Sequence, residues 1–400
     1  MVRLISALFL ACLALSFAGP VVAEDEAIVE AFARKVSKPK EPTDKKDAAP
    51  SYPSVTGLLE VNVENDLYYK ATPKANRLND LYTKSEASLG LHLDSALSLQ
   101  TAFKYEPQRT PNVHSRVFED EGLWVDRLFV DYQRRGWSAY VGKIHPTFSI
   151  GYDRAPGIFG NDYAKDYELK EKLGFGLGRK FETEAFGAHE VLFELFQSDR
   201  SALGRSYFRH AKRRDNNMAR QDHPTERDGG LSNDGRFDSY VVALNGDFGQ
   251  AAPNLVYHLA YRRLGAGLGQ TTAEHGTVGA LQYGAELAKD VKLKPFVEAA
   301  KLRHTLATVP QGAFERDALY LTSGFELGWT EWFWAFSRTG RNFDTNNSNA
   351  NVETHDRLVA TSIGYRFDFG LVTEIGWKDD RGGGTNTKSL GARIGYALEF

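Results

Sequence analysis

The sequence predicts an all-β chain, a transmembrane antiparallel β-barrel of about sixteen strands. The first observation is the segment from Leu390 to Phe400. One of its faces reads Leu390, Ala392, Ile394, Tyr396, Leu398 and Phe400, and the other Gly391, Arg393, Gly395, Ala397 and Glu399. Side chains of a strand alternate between two sides, so this segment meets something oily with one face and something polar with the other. The second is that a chain with mean hydropathy -0.42 carries 18 Tyr, 25 Phe and 6 Trp. Strands apolar on one face only, ringed by aromatics at both water boundaries, reconcile the two. The third is a repeating order of alternating segment, short link, alternating segment and longer polar link.

The N-terminus is expected to be a cleaved signal peptide, residues 1–23. Arg3 supplies the positive start, Leu4 to Phe17 the apolar run, and Val21-Val22-Ala23 a small-residue cleavage site. Residues 24–54 have mixed charge, few apolar residues and several prolines (Pro39, Pro42, Pro50, Pro53), and read as a periplasmic extension or linker. The single cysteine, Cys12, falls in the signal. The mature chain therefore has neither a disulfide framework nor a thiolate metal site. No apolar run of about twenty residues follows the signal, which excludes a helical membrane protein.

The barrel is expected over residues 55–400. Its clearest strands are Leu58 to Asp66, Lys84 to Leu93, Leu97 to Glu106, Leu123 to Tyr132, Leu173 to Phe181 and Glu190 to Gln197. Ser239 to Phe248, Leu255 to Arg262, Val278 to Leu287, Leu319 to Trp329, Leu358 to Asp368 and Leu371 to Lys378 continue the series. Trp137 to His145, Lys294 to His304 and Trp332 to Arg338 are less regular, and the final strand closes the set. Links such as Asp94-Ser95, Arg135-Gly136 and Thr330-Glu331 alternate with long ones such as Arg109 to Glu121, Phe148 to Lys170 and Arg200 to Gly235. Short periplasmic turns and long outer loops produce that asymmetry. A soluble sandwich is disfavoured by Lys104, Arg262, Glu286, Glu326, Glu374 and Arg393, whose parity would bury them unpaired at several kcal/mol each.

The third outer loop, Phe148 to Lys170, contains Pro156-Gly157-Ile158-Phe159-Gly160-Asn161-Asp162. Gram-negative general porins of the enteric type carry Pro-Glu-Phe-Gly-Gly-Asp at the tip of the loop that constricts their sixteen-stranded barrel. Pro156, Phe159, Gly160 and Asp162 resemble its proline, aromatic, glycine and acid. One extra residue separates proline from phenylalanine, and the motif's glutamate has no counterpart. The resemblance covers roughly Val55 to Phe400, mostly as architecture, and implies a third loop folded into the lumen to narrow it.

That resemblance sets the loop residues Asp153, Arg154, Pro156, Phe159, Gly160, Asp162, Asp166 and Glu168 against wall bases, for which inward parity suggests Lys104, Arg127, Arg262 and Arg393. Opposed charges held apart keep such an eyelet hydrated and sort solutes by charge. The expected function is passive diffusion of small hydrophilic solutes and ions through a water-filled outer-membrane channel. A substrate-specific channel for sugars or anions, or a polysaccharide-related barrel, is the alternative. General porins imply a homotrimer. No enzyme is expected: the strand histidines His92, His145 and His258 have no serine placed beside them by a recognisable motif, which disfavours a lipid hydrolase. No metal or cofactor motif occurs, and the net charge of -3 gives no nucleic-acid signature. The outer-membrane lipid and lipopolysaccharide are expected partners. Arg200, Arg205, Arg209, Lys212, Arg213 and Arg214, with Tyr207 and His210 among them, form a basic cluster that would bind lipopolysaccharide phosphates, line the pore, or stay solvated. Trp329, Trp332, Phe333, Trp334 and Phe336 are read as the periplasmic aromatic girdle.

Overall fold

The computed structural model describes residues 51–108, 111, 114–210, 225–309, 312–344 and 354–400. The expected signal peptide, most of the N-terminal extension, and Lys212, Arg213 and Arg214 lie outside the described residues. Sixteen antiparallel strands form one closed wall. They are β1 (Ser54–Thr72), β2 (Asn79–His92), β3 (Leu97–Pro107), β4 (Glu121–Arg134), β5 (Trp137–Ile144), β6 (Lys172–Thr183), β7 (Gly187–Ser198) and β8 (Ser239–Phe248). There follow β9 (Ala252–Leu264), β10 (Glu274–Tyr283, continued by Ala285–Ala288), β11 (Val291–Val309), β12 (Gly312–Trp329), β13 (Trp332–Asp344), β14 (Thr354–Arg366), β15 (Leu371–Gly382) and β16 (Thr385–Glu399). Each pairs with the next in sequence, and β16 closes on β1 through Leu59↔Leu398, Val61↔Tyr396 and Leu67↔Leu390. Phe400 completes the seam by exchanging backbone hydrogen bonds with Gly57 at 2.7 and 3.0 Å.

Period-two patterning makes the two faces of the wall. Val61, Val141, Leu177, Leu259, Ile375 and Ile394 are exposed on the outside, as the final strand's oily face predicts. Glu64, Glu194, Arg262, Glu298 and Glu374 on the other face are buried. Several strands outrun their predicted ends. The last outer connection is only Gly383-Gly384, whose φ angles of 58° and 76° suit a tight hairpin, so β15 and β16 continue past Lys378 and back from Leu390.

Three departures from regularity shape the interior. Between Ala102↔Arg127 and Phe103↔Val125 the register slips, so Asp126 is an extra residue and both Asp126 and Arg127 turn to the same side. Strand β5 stops at Ile144, where the chain leaves the wall, and the upper part of β4 would have a bare edge. The segment Phe208–His210 pairs there with Glu121–Leu123. Lys143, fully buried, braces that patch by ion pairs to Glu171 at 2.8 Å and Asp199 at 3.1 Å and by donating to the Leu203 carbonyl. The described part of the basic segment is thus tied to the wall at its far end, where Ser206 also donates to Gln108 at 2.7 Å, while Arg200 lies 3.9 Å from Glu226 of another connection.

The third departure is an apolar core inside the barrel. Phe148, Tyr163, Ala164, Tyr167 and Leu169, from the connection between β5 and β6, pack on Leu192, Phe196, Val241, Val278, Leu302, Tyr320, Phe343 and Leu358. Strands β7 to β14 therefore present apolar side chains inward over part of their length, where the sequence reading expects a water-filled lumen. Each large side chain so buried stabilises the packing by about 1.5–3 kcal/mol. One girdle residue changes place as well. Phe333 is 2% exposed and shares the inward parity of Ala335 and Ser337, while Trp332 and Trp334 stay exposed outside.

Candidate channel constriction

Residues 145–171 join the end of β5 to β6, and their local sequence suits irregular chain. Pro146 follows the strand, a single helical turn spans Gly151–Arg154, and a short 3-10 turn spans Ala164–Asp166. Backbone polar groups of so irregular a segment need partners from elsewhere. Carboxylates of distant strands supply them. Glu298 of β11, fully buried, accepts from the Ile150 and Gly151 amides at 3.0 Å, from Ser149 Oγ at 2.9 Å and from Tyr167 Oη at 2.7 Å. Glu194 of β7 accepts from the Thr147 amide and from Tyr140 Oη, both at 2.6 Å. Glu374 of β15 accepts from the Ile158 amide at 3.0 Å.

The segment's own acids bind bases of the wall. Asp162 lies 2.8 Å from Lys378 of β15 and 2.8 Å from Lys165. Burial alone would raise the Asp162 carboxyl, but the two lysines outweigh it and hold it well below the usual carboxylate range. Asp166 accepts from Arg341 of β13 at 2.5 Å, and Tyr163 Oη donates to Asp380 at 2.6 Å. Two close approaches need glycine. A Cβ on Gly157, whose φ is 83°, would meet Ser362 Oγ at 2.7 Å, and one on Gly391 would meet the Phe159 ring at 2.4 Å. Phe159 itself is buried, with Lys378 Nζ 4.3 Å from its ring centroid. Pro156 packs against Gly324, and its carbonyl lies 2.2 Å from where a Gly160 side chain would begin.

Beside the segment a cavity of about 710 Å³ remains, lined by β1 to β5, β7 and β12 to β16. Ten carboxylates face it against six lysine and arginine side chains, with His145 besides. Most of the six cations are matched. Lys104 lies 3.2 Å from Asp126 and 3.8 Å from Glu86, and Arg127 lies 2.7 Å from Glu86. Arg393 lies 2.5 Å from Glu374, and Arg366 lies 2.9 Å from Glu326. The surplus charge is therefore acidic, with Glu60, Glu64, Glu106, Asp153 and Glu168 among its carriers. Glu168 sits 2.7 Å from Lys170, yet burial pushes its carboxyl up to about 7.

Among the residues singled out from sequence, Asp153, Arg154, Glu168, Lys104, Arg127 and Arg393 line this cavity. Pro156, Phe159, Gly160, Asp162 and Asp166 instead hold the segment to the wall. Arg262 is placed differently from the reading of it as a pore-wall base. It is 3% exposed beneath the segment, pairs with Glu274 at 2.5 Å, donates to the Tyr167 carbonyl and lies 4.2 Å from the Phe148 ring centroid. Inward parity is satisfied, but the apolar core covers that stretch of wall. Sequence reasoning missed Glu298 and Glu194, though both have inward parity. It missed Arg341 because the predicted strand ended at Arg338.

No protein-family model matches the chain, and no curated protein matches its sequence. Solved structures do match. OmpF of Salmonella typhi, in complex with daunomycin, aligns with a TM-score of 0.57 at 10% identity over 86% of this chain and 97% of that one. The fold is that of the Gram-negative outer-membrane porins. The outer membrane channel DcaP of Acinetobacter baumannii aligns with a TM-score of 0.55 at 8% identity, over 86% of this chain and 96% of the other. OccK8 (OprE) of Pseudomonas aeruginosa aligns at 0.51 and 8%, over 86% and 98%. At such identities the likeness concerns the path of the chain through the barrel and no particular side chain.

Proposed function

We propose that the chain is a passive outer-membrane channel for small hydrophilic solutes, narrowed by residues 145–171 and favouring cations. The observation that carries this reading is the cavity left beside the segment, polar, charged and walled by strands from most of the barrel. A channel needs a hole, a rigid ring and a field across it. Glu298, Glu194, Glu374, Lys378 and Arg341 supply rigidity, and the acidic surplus supplies the sign of the field. Export through a cleaved signal peptide, residence in the outer membrane with its lipid and lipopolysaccharide as neighbours, and a homotrimeric state belong to the same proposal.

The apolar filling beneath the segment supports a second reading, a substrate-specific channel, because it confines passage to one side of the lumen. Planar-bilayer recording of the refolded mature chain tests both. Open steps in simple salt with a reversal potential of cationic sign are expected. Inserted barrels that never conduct would refute an open channel, and conduction blocked by one solute class would favour the specific one.

A further inference from the structure

Four cations stand on the outside of the wall, where the reading above, on which this inference rests, places lipid. Lys301 and Arg303 of β11, Arg338 of β13 and Arg357 of β14 are all exposed and alternate with inward-facing Leu302, Ser337, Thr339 and Leu358. Arg338 is bracketed across the sheet by Ser323 and Val359, neither of which is acidic. Among the described residues none of the four has a hydrogen-bond or ion-pair partner. Asp379, one strand beyond β14, is already held by Arg381 at 2.7 Å and by Lys388 at 3.8 Å. Arg357 faces Arg381 directly across the β14–β15 ladder, with Asp379 on the diagonal, close enough to feel the charge of both.

Height sharpens the problem. A strand tilted by about 40° climbs roughly 2.5 Å per residue, and the apolar band of a barrel is about 25 Å tall. Arg338, six residues beyond Trp332, then stands about 15 Å above the periplasmic aromatic rim, inside the band. Arg357, nine residues from Arg366, stands about 23 Å up, at its outer edge. A long arginine in that position sends its guanidinium toward the headgroups, and Arg338 and Arg357 are diagonal neighbours on one face.

We propose that Arg338 and Arg357 bind the phosphate groups of an anionic lipid in the outer leaflet. Planar guanidiniums match phosphate oxygens in pairs, and Arg338 and Arg357 stand close enough on one face to share them. This site lies away from the basic segment at Arg200–His210, which is engaged with β4.

Native mass spectrometry of the refolded barrel in neutral detergent tests the site, with bisphosphorylated lipid A and its dephosphorylated form as probes. The wild type should retain the phosphorylated lipid, and Arg338→Gln with Arg357→Gln should weaken retention about tenfold. A control pair on the lumenal face of the same β11, Lys292→Gln with Lys294→Gln, should retain it. Equal retention of both lipids, or by wild type and variant alike, would overturn the proposal. So would complete displacement by inorganic phosphate that itself stays bound, or a change of oligomer mass in place of lipid loss, which would assign the face to a second copy. Heat-modifiable gel migration reports that each variant is folded. Bilayer conductance of the same samples reports separately whether the channel reading stands.

Discussion

Single carboxylates decide how the segment between β5 and β6 is held. Glu298 receives four hydrogen bonds from it. Replacing it with alanine takes this acceptor from two amides and two hydroxyls, of which the Gly151 amide keeps Ser149 Oγ at 3.2 Å. Each such group costs about 1–3 kcal/mol, so Glu298→Ala is expected to release the N-terminal half of the segment and to make single-channel current noisier, with larger open steps. Lys378→Met removes one of the two lysines beside Asp162, which keeps Lys165 at 2.8 Å, a loss of about 1–3 kcal/mol that should appear as a lower unfolding midpoint in denaturant. Glu168 acts through charge. Its carboxyl, at about 7, is ionised above that pH and neutral below it. Cation preference should therefore fall as pH drops through about 7, and Glu168→Gln should flatten that part of the pH profile of the reversal potential.

At the scale of elements, closure of the barrel and the turn of the segment are the tests. The Phe400 ring lies over Gly57, 2.3 Å from where a β-carbon would stand. Gly57→Val must displace that ring, and overpacking of this kind costs about 1–3 kcal/mol, read as a lower temperature for loss of heat-modifiable migration. The strand pattern made β16 and its two faces legible from Leu390 to Phe400, because alternation over eleven residues marks a strand with one oily and one polar face. Strand β4 was legible except at Asp126, since a bulge inserts a residue without changing composition. The inward turn of Phe333 was hidden for a related reason: five aromatics around one turn look alike until parity assigns them to opposite faces.

The whole molecule is a barrel with an apolar core in one part of its interior and a charged cavity in another. Its apolar inner core spans β7 to β14, and its charged cavity faces β1 to β5 and β12 to β16. On the proposed channel reading that division would make the segment a partition with an acidic passage beside it, and it predicts a reversal potential of cationic sign under a salt gradient above pH 7. A reversal of anionic sign would mean that Lys104, Arg127 and Arg393, although paired, dominate the field.

The sequence by itself determined the strand number, the outward oily face, the alternation of short and long connections, and the segment that leaves the wall after β5. All are local, written in a period of two and in turn residues. It also marked most of the charges that line the cavity. Only the tertiary structure decided which of them pair, that Arg262 lies beneath the segment, and that part of the lumen is packed with apolar side chains. Those outcomes depend on partners more than a hundred residues apart, Ser149 with Glu298 and Asp162 with Lys378 among them, and no periodicity along the chain records which distant residues closure will bring together.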